Sequence, residues 1–258
     1  MNRDFETIIV EKLEVGVALI RFNRPHQYNA LNSLLLSELA QILKQLEEDD
    51  QINAVVITGS EKAFAAGADI AEMDGIGAEG MRNLCDKSRG WNAISLFSKP
   101  VIGAVSGLAL GGGFELALQC DILLAAKGAK FALPEVNLGV IPGAGGTQRV
   151  ARLIGKSLAM EMVLNARPML AEEAFQRGIV SRVIIPEQLE SEAIGLAKEI
   201  AGRAPLAVRA GKACVNKAID TTLEEGLEFE QQSFFPLFDS DDAKELMSAF
   251  LNKPKKQT

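Results

Sequence analysis

Ala109-Leu-Gly-Gly-Gly-Phe-Glu115 is the stretch on which the reading of this chain turns. Its three consecutive glycines lack Cβ atoms, so a ligand atom can lie directly against their N–H groups. The residues that follow, Phe114-Glu-Leu-Ala-Leu-Gln119, are good helix formers, so the glycines are expected to open a helix. A helix N-terminus presents unpaired N–H donors and a partial positive charge, which suits an oxygen that gains negative charge during a reaction. Glu115 falls in the first turn, among Leu110, Phe114, Leu116 and Leu118. A carboxylate there is costly unless it is hydrogen-bonded or has chemical work to do. Taken alone, it reads equally as an acid favoured by the helix dipole. Twenty residues further on, Pro134-Glu135 brings a second carboxylate.

Working outward, residues 101–105 and 122–125 are apolar runs of strand length on either side of this stretch. Residues 54–58 form a third, closed by Gly59, while 8–12 and 17–22 around Glu14-Val-Gly16 read as a β-hairpin that Pro25 ends. Asn32-Ser33 caps a helix with Leu35, Leu39, Ile42 and Leu46 on one face, and residues 81–97 read as another helix. Strands alternating with helices at this spacing imply an α/β architecture with buried parallel strands. Beyond Ser157 helical stretches dominate, at 158–164, 171–177, 188–201, 206–218, 223–234 and 243–251, with only 180–185 strand-like. The chain is therefore divided into a core over residues 1–195 and a helical region over 196–258.

With 258 residues and 48% hydrophobic content, the chain can bury a large core. A net charge of -7 argues against a nucleic-acid partner, and the only basic cluster spans residues 253–256. Cys85, Cys120 and Cys214 are scattered without disulfide or zinc spacing, which suits a reducing compartment. The first seven residues carry acids where a leader peptide avoids them, and the apolar run 101–118 is broken by three glycines and a glutamate. A cytoplasmic protein with no membrane span is expected. His26 is the only histidine, so mechanisms built on histidine nucleophile activation or several histidine ligands are excluded or must run through a residue that reads as a loop.

Three glycine-rich stretches mimic phosphate-binding loops and fail. Gly75-Ile-Gly77-Ala-Glu-Gly80 has the dinucleotide spacing but follows no strand, and reads as a flexible loop. Gly155-Lys156-Ser157 lacks the first glycine of a phosphate loop, and Gly143-Ala-Gly-Gly146 is followed by Gln148 where a third glycine would fall. Phe64-Ala-Ala-Gly-Ala-Asp-Ile70 survives scrutiny. It lies just past the strand ending at Gly59, where ligand loops of α/β proteins are found. Together with the first glycine stretch it can direct two backbone N–H groups at one oxygen. Two tight turns filled by small residues would look the same.

Asn29-Ala-Leu-Asn32, Ala65-Ala-Gly-Ala-Asp69, Ala109-Leu-Gly-Gly-Gly-Phe-Glu115, Cys120-Asp121 and the run from Pro134 to Arg149 together resemble the enoyl-CoA hydratase (crotonase) family, over essentially the whole chain. The likeness is strongest to the hydratases of fatty-acid β-oxidation. It implies a crotonase-like β-β-α spiral core with a helical C-terminal trimerisation region, assembled as a homotrimer or dimer of trimers. It implies that Ala68 and Gly112 supply the oxyanion-hole N–H groups for a thioester carbonyl, and that Glu115 and Glu135 are the two catalytic carboxylates. Members that isomerise, decarboxylate or hydrolyse acyl-CoAs replace one or both glutamates, so their presence favours hydration of trans-2-enoyl-CoA over isomerisation, decarboxylation or a non-catalytic binding role. By the same likeness Ala30, Ala66 and Ile70 line an adenine pocket, and Ala68, Asp69, Ile70 and Ala71 turn past the pantetheine. Met73 and Trp91 match acyl-pocket positions, where core packing is an equally good account. Phe250 and Lys253 match positions that reach coenzyme A from a neighbouring subunit. No cofactor or metal is expected, because coenzyme A arrives as part of the substrate.

Overall fold

The computed structural model describes residues 5–88 and 90–252. Ten strands run in chain order: β1 Ile8–Leu13, β2 Val17–Phe22, β3 Ala54–Thr58, β4 Ala63–Ala65, β5 Val101–Val105, β6 Leu108–Leu110, β7 Ile122–Ala126, β8 Lys130–Ala132, β9 Met169–Leu170 and β10 Arg182–Ile184. They form two sheets, β1-β2-β3-β5-β7-β10 and β4-β6-β8-β9. In the large sheet only β1 is antiparallel to its neighbour.

The helices are α1 Ser33–Glu47, α2 Ile70–Met73, α3 Gly77–Ser88, α4 Ala93–Leu96, α5 Gly112–Ala117, α6 Gly146–Ile154, α7 Lys156–Leu164, α8 Ala171–Gln176, α9 Leu189–Ala201, α10 Pro205–Asp220, α11 Leu223–Phe234 and α12 Asp241–Leu251. As the apolar runs demanded, β3 and β5 are buried throughout, and successive residues feed opposite faces. Val55, Ile57, Val101 and Val105 pack with Leu35, Leu39 and Leu43 of α1 in one core. Ala54, Val56, Ile102 and Leu124 pack on the other face against Leu189, Ala193, Ala197 and Ala201, a four-residue stripe along α9. Each such valine or leucine contributes roughly 1.5–3 kcal/mol by leaving water. The edge-on Phe22–Phe64 pair, centroids 5.3 Å apart, ties the large sheet to the small one. Phe114 against Phe131, at 5.1 Å, ties α5 to β8.

Several expectations need correction. The division at 195 falls inside α9, whose stripe belongs to the sheet's core as far as Ala201. The helix expected over 81–97 is broken: α3 ends at Ser88, Gly90–Asn92 is a 3-10 turn, and α4 is one turn long. Gly90 lies pressed on α1, where a Cβ would come within 2.1 Å of the Leu36 carbonyl oxygen. Gly77 opens α3, so the Gly75–Gly80 segment is only partly a loop. α6 was not expected, because its start is masked by glycines; Gly145, its N-cap, sits at φ 104°.

The C-terminal helices α10, α11 and α12 contain no fully buried residue. α10 is anchored by Lys212, whose Nζ pairs with Asp121 Oδ2 at 2.7 Å and donates to the Lys99 carbonyl at 2.9 Å. Among the described residues, no helix is long and apolar enough to cross a membrane.

Candidate active site

In the small sheet, β4, β6 and β8 lie side by side and parallel, with Ala65 opposite Ala109 and Leu110 opposite Ala132. Three loops therefore leave the same edge together: Ala66-Gly-Ala68 after β4, Gly111 after β6, and Leu133-Pro-Glu135 after β8. This is the carboxyl edge at which open α/β sheets bind ligands.

The three glycines each make room for a different neighbour. Gly111, N-cap of α5, has φ 49°, and a Cβ on it would meet Glu135 Oε1 at 2.8 Å. At Gly112 a Cβ would lie 2.8 and 3.0 Å from the Trp91 ring and 3.4 Å from the Ala68 nitrogen. At Gly113 it would strike the Ala65 carbonyl oxygen at 2.0 Å. The Gly112 N–H belongs to the first helical turn, which has no intrahelical acceptor. Around Ala68, Leu31 donates to the Gly67 carbonyl at 2.8 Å and accepts from the Asp69 N–H at 3.0 Å. That bridge uses the groups on both sides of Ala68, so Ala68's own N–H faces away from Leu31, and its nitrogen lies close to Gly112.

Glu115 is 2% exposed, and its Oε1 accepts from Ala144 N at 2.8 Å and Gly146 N at 2.7 Å. Burial pushes its carboxyl up, while those N–H groups and the Arg149 charge oppose the rise. Glu135 opens the 3-10 turn Glu135–Leu138. Burial, helped by the nearby Glu115 charge and opposed by a backbone hydrogen bond, pushes its carboxyl up to about 7. Its Oε2 is buried with no hydrogen-bond partner among the described residues. A buried, unpartnered acid oxygen against Gly111, next to the glycine on which Trp91 and the Ala68 nitrogen close in, is a candidate place for a reacting molecule. Among the described residues no group of three or more histidine, cysteine or acidic side chains is placed to hold a metal ion.

The remaining expected residues divide. Met73 and Trp91 line a narrow cavity of about 20 Å³ with Ala68, Leu31 and Leu36, roughly the space of one water. Asp69 caps α2 through Ala71 N at 3.2 Å and pairs with Arg24 Nη2 at 3.0 Å, so its carboxylate is engaged. Arg24 also donates to the Ala30 carbonyl, which joins the Ala30 and Asp69 turns, and Ala66 N donates to the Tyr28 carbonyl at 3.0 Å. Ile70 is exposed beside them. Phe250 is 72% exposed on α12 and is not brought to this site; Lys253 lies outside the described residues. His26 is exposed in a 3-10 turn, as expected.

A family model described as enoyl-CoA hydratase/isomerase matches residues 12–258. The chain belongs to the enoyl-CoA hydratase/isomerase family. It is 48% identical over 252 residues to a probable enoyl-CoA hydratase of Rhizobium meliloti, covering 97% of each chain. It is 46% identical to the mitochondrial enoyl-CoA hydratase of Pongo abelii, over 98% of this chain and 87% of that one. Its fold superposes on the crystal structure of enoyl-CoA hydratase subunit I from Geobacillus kaustophilus with a TM-score of 0.93 and 44% identity, covering 99% and 98% of the two chains.

Within this family framework, the sequence reading missed the loop Gly143-Ala-Gly-Gly146 and Arg149 behind it. Both lie in the run from Pro134 to Arg149 that carries the resemblance, but the loop's glycines are weighed there only as a phosphate-binding turn. The signal that would have found it is a glycine-rich turn feeding a helix, where clustered N–H groups cradle an anion of any kind, here a carboxylate.

Proposed function

We propose that this protein adds water across the C2=C3 bond of trans-2-enoyl-CoA thioesters to give 3-hydroxyacyl-CoA. The observation that carries the reading is Glu135: an acid lifted to about 7, resting on Gly111, with one oxygen unpartnered. At neutral pH about half of it holds a proton to give away. The thioester oxygen would accept from the N–H groups of Ala68 and Gly112, drawing electrons from the double bond toward oxygen as water attacks C3. Glu115, held by two backbone donors, grips the water and takes its proton, while Glu135 delivers a proton to C2. Afterwards Glu115 is protonated and Glu135 ionised, so one proton must pass back before the next turnover. This donor set performs the addition without a metal or cofactor, and coenzyme A enters with the substrate.

Ala30, Ala66, Ile70 and Ala71 would carry the adenine and pantetheine, with Met73 and Trp91 beside the acyl chain. Phe250 and Lys253 would come from a neighbouring subunit of a trimer or dimer of trimers. Three cysteines without disulfide spacing support a reducing, cytoplasmic setting. The direct test is the loss of the enoyl-thioester absorbance of crotonyl-CoA. Wild type should consume it, and Glu115→Gln should slow kcat by ~10²–10⁴ with the fold retained. Absence of hydration by the folded wild-type enzyme refutes the reading.

A further inference from the structure

Glu115 does not hold itself in place; the loop that grips it is in turn held by one side chain. Arg149, one turn into α6, donates from Nη1 to the Ala144 carbonyl at 2.9 Å and from Nη2 to Ser95 Oγ at 3.1 Å. Its guanidinium lies directly on the turn, since a Cβ at Gly145 would fall 2.0 Å from Nη1. Ser95 passes the connection on, donating to Gln119 Oε1 at 2.9 Å, and Gln119 Nε2 donates to the Trp91 carbonyl at 2.6 Å. An unbroken hydrogen-bonded chain thus runs from the Glu115 cradle through Arg149 to the residue that packs on Gly112.

We propose that Arg149 is a positioning residue for hydration: it clamps the Ala144 carbonyl, so that the Ala144 and Gly146 N–H groups stay aimed at Glu115, and it fixes that cradle relative to Trp91. The proposal rests on the role given to Glu115 above. Arg149 touches no reacting atom in this arrangement. Its planar fork is what the geometry uses, because two acceptors on different elements are bridged by one rigid group. Its charge acts in the same direction. A carboxylate desolvated as fully as Glu115 tends to take up a proton, and the Arg149 charge opposes that. The charge so kept on Glu115 in turn raises the Glu135 carboxyl. On its far side Arg149 faces Asp220 of α10 and forms part of a cavity of about 580 Å³, also lined by Asp121 and Arg152, with Lys212 paired to Asp121.

The experiment compares wild type, Arg149→Gln and Arg149→Lys in crotonyl-CoA hydration between about pH 5 and pH 9, with the fold of each checked by thermal melting. For Arg149→Gln we expect kcat to fall about 10–100-fold with KM nearly unchanged, and the acid limb of the profile to rise by about one pH unit. Arg149→Lys keeps the charge and loses the fork, so its acid limb should return to the wild-type position while kcat stays about tenfold low. A residue needed only for stability would move the melting temperature and leave the limb where it was. If Arg149→Gln does not fold, the lysine variant carries the test, and a wild-type kcat in it overturns the clamp. Wild-type hydration together with an Arg149→Gln profile superimposable on it sinks this proposal alone and leaves the hydratase reading standing. Should wild type hydrate nothing, the Glu115 carboxyl can still be titrated by infrared difference in the substrate-free protein. An unchanged titration in Arg149→Gln then overturns the influence of Arg149 on its own terms.

Discussion

Glu135 carries a conflict between stability and chemistry in a single side chain. Its carboxyl holds a proton up to about 7 in the fold, against an ordinary value of 4.5. The folded state therefore binds the proton more tightly than the unfolded chain does. The stability that goes with this is fully present below about pH 4.5 and is lost as pH rises through about 7. Above that, the fold holds a desolvated charge with Oε2 unpartnered. Glu135→Gln removes the charge and keeps the shape. At pH 8 it should stabilise the protein by about 1–3 kcal/mol, and at pH 4 it should change little. The same variant should lose kcat by ~10²–10⁴, since no acid remains for C2. Melting curves at the two pH values and one rate measurement check both halves, and a variant with near-normal kcat and intact fold would sink the assignment. In wild type, kcat/KM for hydration should fall on the alkaline side with an apparent pKa near 7, a property of the coupled Glu115–Glu135 pair rather than of either alone.

Among elements, the short ones hold the site, and here packing separates two adjacent glycines. A methyl on Gly113 would meet the Ala65 backbone oxygen at 2.0 Å, and neither β4 nor α5 can yield without breaking the edge of the small sheet. Gly113→Ala should cost about 3 kcal/mol or more and lower Tm by about 6 °C or more. A methyl on Gly112 meets the Trp91 ring, which can turn aside. Gly112→Ala should therefore fold with a much smaller change in Tm, yet lose activity because the ring leaves its place beside the N–H donors. Equal Tm losses in the two variants would contradict this packing account. The same shortness explains what was legible in the sequence. β3, β5 and β7 show as apolar runs, since a strand covered on both faces needs five or so consecutive apolar residues. β4, β6 and β8 are three residues each, less than two full alternations, and they exist because their neighbours pair with them. The two glutamates and the two small-residue loops stand out in the sequence by residue type. The break at Gly90 does not, because it depends on contact with α1. The loop at Gly145 shows in the sequence only as a glycine-rich turn before a helix, since Glu115, the carboxylate it holds, lies about thirty residues away in the chain.

At the scale of the whole molecule, the sequence and the structure leave the same surplus. α10, α11 and α12 bury no residue fully, and exposure reaches 79% at Leu223 of α11, 62% at Phe235 in the 3-10 turn that follows it, and 81% at Leu251 of α12. Phe234 stacks edge-on against Phe235 and Phe238, at 5.9 and 4.9 Å, forming an aromatic cluster open to water. A lone exposed leucine is ordinary, but this many exposed apolar side chains on neighbouring C-terminal elements fit the association surface of the proposed assembly. In a closed ring each subunit uses one patch to cover another on its neighbour, so the surplus disappears without leaving an open end. Light scattering should give three or six times the 27.7 kDa chain mass. Truncation before Met247 removes Phe250 and the residues after it, which the proposed assembly sets against coenzyme A of the adjacent subunit. That variant should raise KM for crotonyl-CoA about tenfold or more while changing kcat little, because the lost contacts bind the carrier and not the reacting carbons. A full-length monomer hydrating crotonyl-CoA at the full rate would refute the shared site. The chemistry proposed for Glu115 and Glu135, which one chain supplies from α5 and the turn after β8, would stand regardless.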